Sequence, residues 1–164
     1  MNKNVLRRTL NRLLAVVARF GPGATSLRPL VHRLRGVRIT GHVFIGDDVY
    51  LENEYPECIE MEDGAQIGLR STLIAHTRAV GKIVIKKNVF IGAGCIITAV
   101  PGRTLTIGEG AVIAAGAVIS TDVPPATLFG NERAKPLAHV RIPLTMEMEY
   151  ERFLAGLRPI VRGK

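Results

Sequence analysis

The sequence has no tryptophan and few other aromatic residues, with five Phe and three Tyr among 164 residues. Large rings therefore cannot fill a core, so the hydrophobic content of 47% must pack mainly as Leu, Ile, Val and Ala. Such side chains suit thin, regular layers better than a sandwich built around rings. Seventeen glycines indicate many tightly packed or positive-φ backbone positions. The length allows one domain with a core and is short for two.

Acidic residues are absent from the first 36 positions, although eight Lys and Arg lie there. From Val37 onward, 14 basic and 14 acidic residues cancel, so the net charge of +8 belongs to this N-terminal arm. A charge placed in this way argues against a nucleic-acid-binding body, and we expect no nucleic-acid partner. It leaves an arm that can contact anionic lipid or an acidic partner.

Cysteine is scarce, and long apolar runs are missing. Cys58 and Cys95 lie far apart and fit no metal-binding spacing, and without a predicted disulfide a reducing compartment is the default. No stretch reaches the ~18–20 uncharged apolar residues of a membrane span. Arg12 and Arg19 interrupt any signal-peptide core near the start. We therefore expect a cytoplasmic protein, with peripheral contact at the inner membrane face left open.

Two helices are predicted in the arm. Residues 5–20 form an amphipathic pattern that ends at Gly21-Pro22-Gly23, and a shorter helix is expected around residues 27–34. The first helix has its apolar residues on one stripe: Leu6, Leu10, Leu13, Leu14, Val17 and Phe20. This helix either docks on its own protein or a neighbouring subunit, or contacts a membrane surface through residues 1–20.

From Val37 the sequence repeats with a period of six. The repeating aliphatic positions are Ile39, Ile45 and Leu51; Met61, Ile67 and Leu73; Ile85, Ile91 and Ile97; and Ile107, Ile113 and Ile119. Two residues earlier, a second column keeps step: Ala65, Ser71, Ile83, Val89, Cys95, Leu105, Ala111, Ala117 and Val123. A glycine often follows the aliphatic residue: Gly46, Gly68, Gly92 and Gly108. A period of six is neither helical nor the alternation of a plain strand.

This period predicts short strands joined by tight turns, each returning an aliphatic side chain to the interior. Three such segments make one coil of about eighteen residues, and stacked coils bury a continuous core. Insertions interrupt the repeat at 52–60, 75–82 and 99–104. Because insertions leave the stack as loops, we expect function there, and His76 lies in the second insertion.

After Pro125 the repeat ends. We predict three parts: the arm 1–36, a repeat domain 37–128, and a C-terminal loop and helix 129–164. The last helix is expected over residues 144–157. Its apolar stripe, which we assign to packing, comprises Met146, Tyr150, Phe153, Leu154 and Leu157.

The segments VFIGAGCII (89–97) and IGEGAVIAAGAVI (107–119), then TDVPP (121–125) and GNERAK (130–135), resemble the hexapeptide-repeat acyltransferases. The likeness covers roughly residues 37–137 and points to the sugar and xenobiotic O-acetyltransferase branch. It implies an all-β body: a single-stranded left-handed parallel β-helix, here with N- and C-terminal α-helices. It also implies a homotrimer that binds acetyl-CoA, the acyl donor, between neighbouring β-helices, with a loop histidine as general base.

His76 is the candidate general base, because imidazole titrates near working pH and this histidine interrupts a well-defined coil. Its ring needs an orienting group, and Glu57, Glu52 or Asn53 of the preceding insertion could supply it. The other histidines receive structural or surface roles: His42 in a turn, and His32 and His139 on the surface.

The resemblance also implies where acetyl-CoA binds. The N–H of Ala93 would hold the oxyanion, and the pantetheine arm would pass the small residues Ala93, Gly94, Ala115 and Gly116. Ser120, Arg133 and Lys135 would meet the amide and phosphates of CoA, since cations pair well with phosphate. Cys95 falls in the buried column, whereas Cys58 lies near the site and stays open as a nucleophile.

The predicted reaction moves an acetyl group to a hydroxyl of a saccharide-type acceptor, which the basic arm could approach on a lipid carrier. Transfer to a small amine or amino sugar is one alternative, and a non-catalytic trimeric β-helix module is another. A zinc lyase of the γ-carbonic-anhydrase kind would need three converging histidines. His42 and His76 are 34 residues apart with no third partner in the coils, so we expect no metal.

Overall fold

A computed structural model describes residues 5–77, 79–131, 138–143, 145 and 147–160, with side chains from Arg7 onward. The chain divides into two compact units, residues 1–131 and residues 132–164. The first contains the arm together with the whole repeat region.

The described residues form three α-helices, one short 3₁₀ helix and fifteen strands. The helices are α1 (Val5–Phe20), α2 (Leu27–Arg35) and α3 (Tyr150–Ala155), with the 3₁₀ helix at Pro56–Cys58. The strands are β1 (Arg38–Ile39), β2 (Phe44–Ile45), β3 (Tyr50–Leu51), β4 (Ile59–Met61), β5 (Gln66–Ile67), β6 (Thr72–Ile74), β7 (Lys82–Ile85), β8 (Phe90–Ile91), β9 (Ile96–Thr98), β10 (Thr104–Ile107), β11 (Val112–Ile113), β12 (Val118–Ile119), β13 (Leu128–Phe129), β14 (Ala138–Val140) and β15 (Leu157–Pro159).

Thirteen of these strands build a parallel β-solenoid of about four coils, which confirms the predicted β-helix body. Sheet A has the order β1-β4-β7-β10, sheet B the order β13-β11-β8-β5-β2, and sheet C the order β12-β9-β6-β3. Each coil visits the three sheets in turn, so the solenoid has three corners. The first corner joins sheet A to sheet B, the second joins B to C, and the third joins C to the next coil.

The strand register confirms the period of six. Ile45 pairs with Ile67, which pairs with Ile91, which pairs with Ile113. All four side chains are buried, and the second column lies inside the same core. Successive coils are longer than the predicted eighteen residues: Ile39 pairs with Met61, 22 residues on, and Met61 with Ile85, 24 residues on. The extra residues are the insertions, all of which fall at the third corner.

The second corner shows why the repeat needs glycine. A Cβ added to Gly92 would lie 2.5 Å from the backbone nitrogen of Ala115 in the next coil. Ser71 is the one polar member of the second column, and its buried hydroxyl donates to the Gly92 carbonyl at 3.0 Å and accepts from Cys95 N–H at 3.2 Å. Its polar atoms are thereby satisfied inside an apolar column.

Both arm helices form as predicted, but α1 packs with the face opposite to its apolar stripe. Ala15 and Ala18 are buried, whereas Leu13 and Phe20 are 62% and 66% exposed. Ion pairs join the helix to the first coil, including Arg8 and Arg12 to Glu54, Arg19 to Asp48, and Arg28 of α2 to Asp47. The arm therefore docks on its own solenoid through small residues and arginines.

α2 ends at Gly36, whose φ of 109° suits glycine.

In the second unit, the helix predicted over 144–157 is shorter than expected, because α3 begins at Tyr150 and ends at Ala155. Leu157 belongs instead to β15, where it pairs antiparallel with Val140. The packing role assigned to the stripe is wrong for α3, which has no buried residue, and Tyr150 and Leu154 are exposed. Leu144 and Met146 lie outside the described residues.

Among the described residues, none of the helices has both the length and the apolar character needed to cross a lipid bilayer.

Candidate active site

His76 lies at the third corner, in the loop that follows β6. The loop folds back on itself: His76 and Val80 form an antiparallel bridge, and Gly81 N–H donates to the Ala75 carbonyl at 2.7 Å. The His76 side chain is 37% exposed. Leu73 is the last repeat position before this loop. The hairpin that follows places an accessible imidazole outside the core.

The carboxylate of Glu52 lies directly beneath this ring. It is 2% exposed, and its oxygens accept from the backbone N–H groups of Ala75 at 3.1 Å, His76 at 3.2 Å and Glu54 at 2.8 Å. Nδ1 of His76 is 3.3 Å from Oε1. A carboxylate ion can only accept, so Nδ1 carries the proton in this contact and Nε2 keeps a free lone pair. That tautomer is the one a general base requires.

Tyr55 also contacts the imidazole. The two ring centroids are 5.2 Å apart at an interplanar angle of 65°, an edge-to-face arrangement. The ring therefore has an acidic and an aromatic neighbour, both from the preceding insertion.

Arg35 of α2 fixes the chain segment that carries Glu52. Its Nη2 donates to the carbonyls of Leu51 and Glu52 at 3.1 and 3.0 Å and to Oδ1 of Asn53 at 2.6 Å, while Nε donates to Asn11 at 3.0 Å. Burial lowers the pKa of Arg35 to about 10, which still leaves it charged at neutral pH. The guanidinium thus acts as a buried clamp behind the site.

The prediction that His32 lies on the surface is wrong. His32 is fully buried, and Arg35 Nη1 lies 2.9 Å from its Nδ1. Burial, and then the neighbouring Arg35 charge, lower the pKa of His32 to about 3. The imidazole is therefore neutral and accepts from the guanidinium. Helix spacing places positions 28, 32 and 35 on one face with Val31, but a face that carries two arginines does not by itself indicate burial.

A groove runs beside His76, and most of its lining residues have polar side chains, although carbon atoms form most of its surface. Its lining residues are Arg12, Tyr50, Glu52, Asn53, Glu54, Thr72, Ile74 and His76. The pKa of Tyr50 is raised, first by burial and then by the negative charge of Glu52. The phenol therefore stays protonated and can donate a hydrogen bond. Hydroxyl, amide and charged groups in this number suit an acceptor rich in hydroxyl groups.

Of the three candidates for orienting His76, the structure brings Glu52 to the ring. Asn53 instead accepts from Arg35 and lines the groove. Glu57 lies in the 3₁₀ helix and lines a different cavity, between α1 and α2. Roles for Asn53 and Glu57 in catalysis stay predictions.

The residues predicted to bind CoA fall on two corners. Ala93, Gly94 and Ala115 occupy the second corner, where Gly94 has a φ of 67° and open space beside its Cα. Ser120 is at the third corner and lines a small cavity with Arg103 and Asp122. Arg133 and Lys135 lie outside the described residues. These assignments also stay predictions.

The remaining histidines and cysteines take the positions expected of them. His42 is exposed at the first corner, where its backbone N–H donates to Asp63 at 2.6 Å, and His139 is exposed in β14. Cys95 is buried in the core, and Cys58 packs against the core edge. In the part of the chain that the structure describes, no three His, Cys, Asp or Glu residues come together as a metal site.

Comparison with known proteins finds two relatives, and both names contain the words "Putative acetyltransferase". Over 58 residues the chain is 50% identical to a Schizosaccharomyces pombe protein called "Putative acetyltransferase C18B11.09c". Over 82 residues it is 35% identical to a Bacillus subtilis protein called "Putative acetyltransferase YvoF". No family model matches the chain.

These matches are partial. The first covers 35% of this chain and 26% of the relative, and the second covers 47% of this chain and 45% of the relative. The chain therefore spans less than half the length of either protein. The similarity is therefore to parts of two proteins whose names say acetyltransferase, and neither name specifies an acceptor.

Proposed function

We propose that this chain is an acyltransferase that moves an acetyl group from acetyl-CoA to a hydroxyl of a saccharide-type acceptor. The observation that carries the proposal is the Glu52–His76 pair, in which a buried carboxylate contacts an accessible imidazole beside a groove lined largely by residues with polar side chains. The names of the two relatives and the β-solenoid agree with it.

In this mechanism, Nε2 of His76 takes the proton of the acceptor hydroxyl while the oxygen attacks the thioester carbonyl. Such base assistance contributes roughly 100- to 10,000-fold in rate. The negative charge of Glu52 stabilises the imidazolium that forms. When the tetrahedral intermediate collapses, the C–S bond breaks, and the imidazolium returns its proton to the CoA thiolate, giving CoA and the acetyl ester.

The proposed oxyanion donor, the Ala93 N–H, is on the second corner, whereas His76 is on the third. The outer face of sheet C separates these corners within one chain. A second copy whose second corner faces His76 would complete the site. The proposal therefore includes a homotrimer with acetyl-CoA in the groove between neighbours.

The outer faces of the sheets support such an assembly. Sheets B and C expose apolar side chains, including Phe44, Phe90, Ile96 and Val118. Sheet A instead exposes an ion-pair ladder in which Glu60 contacts both Arg38 and Lys82. Neighbouring copies would bury sheets B and C and leave sheet A in water. Sedimentation equilibrium should then give three times the 17.8 kDa chain mass.

The test of function is release of CoA thiol from acetyl-CoA in the presence of a panel of sugars, amino sugars and serine. Acceptor-dependent thiol release with sugars, with an ester as product, supports the proposal. Amide products from amino sugars would move the assignment to the N-acetyltransferase alternative. A trimer that neither binds acetyl-CoA nor releases thiol would overturn the proposal in favour of a non-catalytic module.

A further inference from the structure

The arm carries an apolar surface that its own solenoid leaves uncovered. Along α1, Leu10, Leu13, Val17 and Phe20 follow one another at helical spacing, and all four are exposed. The residues that α1 buries are small, with Ala18 only 1% exposed. An amphipathic helix that packed for stability alone would bury its large side chains, so this orientation points to a partner outside the chain.

α2 extends the same surface. Leu34 is 67% exposed, and it lines one cavity together with Leu10 and Leu14 of α1. Leu30, one turn earlier on α2, is also exposed. We call this set of Leu10, Leu13, Val17, Phe20, Leu30 and Leu34 the arm surface. Six large apolar side chains grouped in this way exceed the scattered exposure of ordinary surfaces.

Positive charge borders the arm surface. At 3.6 residues per turn, Arg7 flanks the α1 stripe on one side and Arg12 on the other, and both are exposed. Glu54 is shared by Arg8 and Arg12, so this contact leaves excess positive charge next to the apolar residues. Long basic side chains beside an apolar stripe reach phosphate groups while the stripe enters the lipid boundary.

We propose that the arm surface docks on an anionic phospholipid bilayer, with α1 and α2 lying in the plane of the interface. The positive charge of the arm argues against the main alternative, in which a second copy of this chain covers the arm surface. Eight basic residues and no acid lie in positions 1–36, and the ion pairs with Asp47, Asp48 and Glu54 of the first coil neutralise only part of that charge. Two such arms brought face to face would repel, whereas an anionic lipid surface is complementary to each.

The experiment is co-sedimentation of the full chain with phosphatidylcholine vesicles, with and without phosphatidylglycerol. We expect binding to vesicles that contain phosphatidylglycerol, weaker binding to pure phosphatidylcholine, and loss of binding at high salt. The double variant Leu13→Gln/Phe20→Gln should lower the partition coefficient at least ~10-fold. The control Leu69→Gln/Val100→Gln, which removes two exposed aliphatic side chains outside the arm, should bind like wild type.

Thermal melting confirms that each variant is folded, and Leu30→Gln/Leu34→Gln provides a second test from α2. Wild-type protein that binds no anionic vesicles would overturn the proposal. So would equal vesicle binding by wild type and both arm variants. If the arm variants instead lower the mass of the assembly, a second copy covers the arm surface and the lipid assignment is wrong.

Discussion

The carboxylate of Glu52 contacts the ring and backbone of His76 although 24 residues separate them in the chain. The register of sheet C explains the contact. Leu51 pairs with Leu73, so Glu52, the first residue after β3, lies next to the point where the chain leaves the following coil. The first insertion then contributes Tyr55 to the same ring. Two insertions at one corner thus assemble the site.

Replacing Glu52 by Gln should lower kcat by about 100-fold, because the amide neither fixes the Nδ1–H tautomer nor stabilises the imidazolium. Affinity for acetyl-CoA should hold, since Glu52 is buried behind His76. The measurement is steady-state thiol release with a working acceptor. Glu62→Gln, which breaks a half-buried pair with Lys86 away from His76, is the control and should leave kcat unchanged. Equal kcat in both variants would remove Glu52 from the mechanism.

Arg35 should matter for stability far more than its surface counterparts. Arg35→Met leaves the Leu51 and Glu52 carbonyls and the Asn53 amide oxygen without their donor. We expect the free energy of unfolding to fall by at least ~3 kcal/mol, measured by urea denaturation. Arg38→Met, which removes a largely exposed pair with Glu60, should cost ~0–1 kcal/mol. Similar losses for the two variants would contradict the clamp role.

His32 should make the protein acid-sensitive. Its pKa is about 3 when folded and ordinarily about 6.5, so the unfolded chain binds the proton more readily between these values. Stability is therefore present above about pH 6.5 and falls with pH toward about pH 3, by at most ~1.4 kcal/mol per unit. The variant His32→Asn, which keeps an acceptor for Arg35, should show a shallower dependence in urea denaturation across this range.

The control for the pH dependence of unfolding free energy is His42→Asn, which replaces an exposed histidine at the first corner. Its stability should follow pH as wild type does. An unchanged slope in His32→Asn would show that His32 can take up a proton without cost in the folded protein.

Alanine substitutions at two neighbouring glycines test two different effects, steric crowding at Gly92 and backbone strain at Gly94. In Gly92→Ala the new Cβ would lie 2.5 Å from the Ala115 nitrogen, so the coils must part, and we expect a loss of about 3 kcal/mol. In Gly94→Ala the space is open and only the φ of 67° is unfavourable, which costs about 1–2 kcal/mol. Thermal and urea unfolding of the two variants should give this order, and the reverse order would contradict the account of the second corner.

The solenoid could be predicted from the sequence because each coil repeats the same contacts. Ile45, Ile67, Ile91 and Ile113 are equivalent in spacing and become equivalent in space. The insertions between these registers could also be located, so coils longer than eighteen residues follow from the sequence. The conformation of the inserted loops could not be predicted, since the insertions carry no period. The orientation of α1 could not be predicted either, because the spacing of its apolar residues identifies an apolar face but not the surface that this face contacts.

The site was only partly predictable, because its residues come from insertions that do not follow the repeat. Position 76 was identifiable as an interruption of the repeat, but Glu52, Asn53 and Glu57 all lie in the preceding insertion, and the sequence does not choose among them. The choice of Glu52 depends on the register of sheet C, and Arg35 depends on how α2 docks. His32 was misplaced because a histidine on a basic helix gives no sign of burial until its face is known.

The central claim is that His76 acts as the general base of acetyl transfer, and single-turnover thiol release tests it most directly. With acetyl-CoA bound and acceptor added, His76→Ala should transfer at least ~100-fold more slowly than wild type while keeping its assembly mass and acetyl-CoA affinity. His42→Ala, which removes an exposed histidine from the first corner, should match wild type. Equal rates for His76→Ala and wild type would contradict the account.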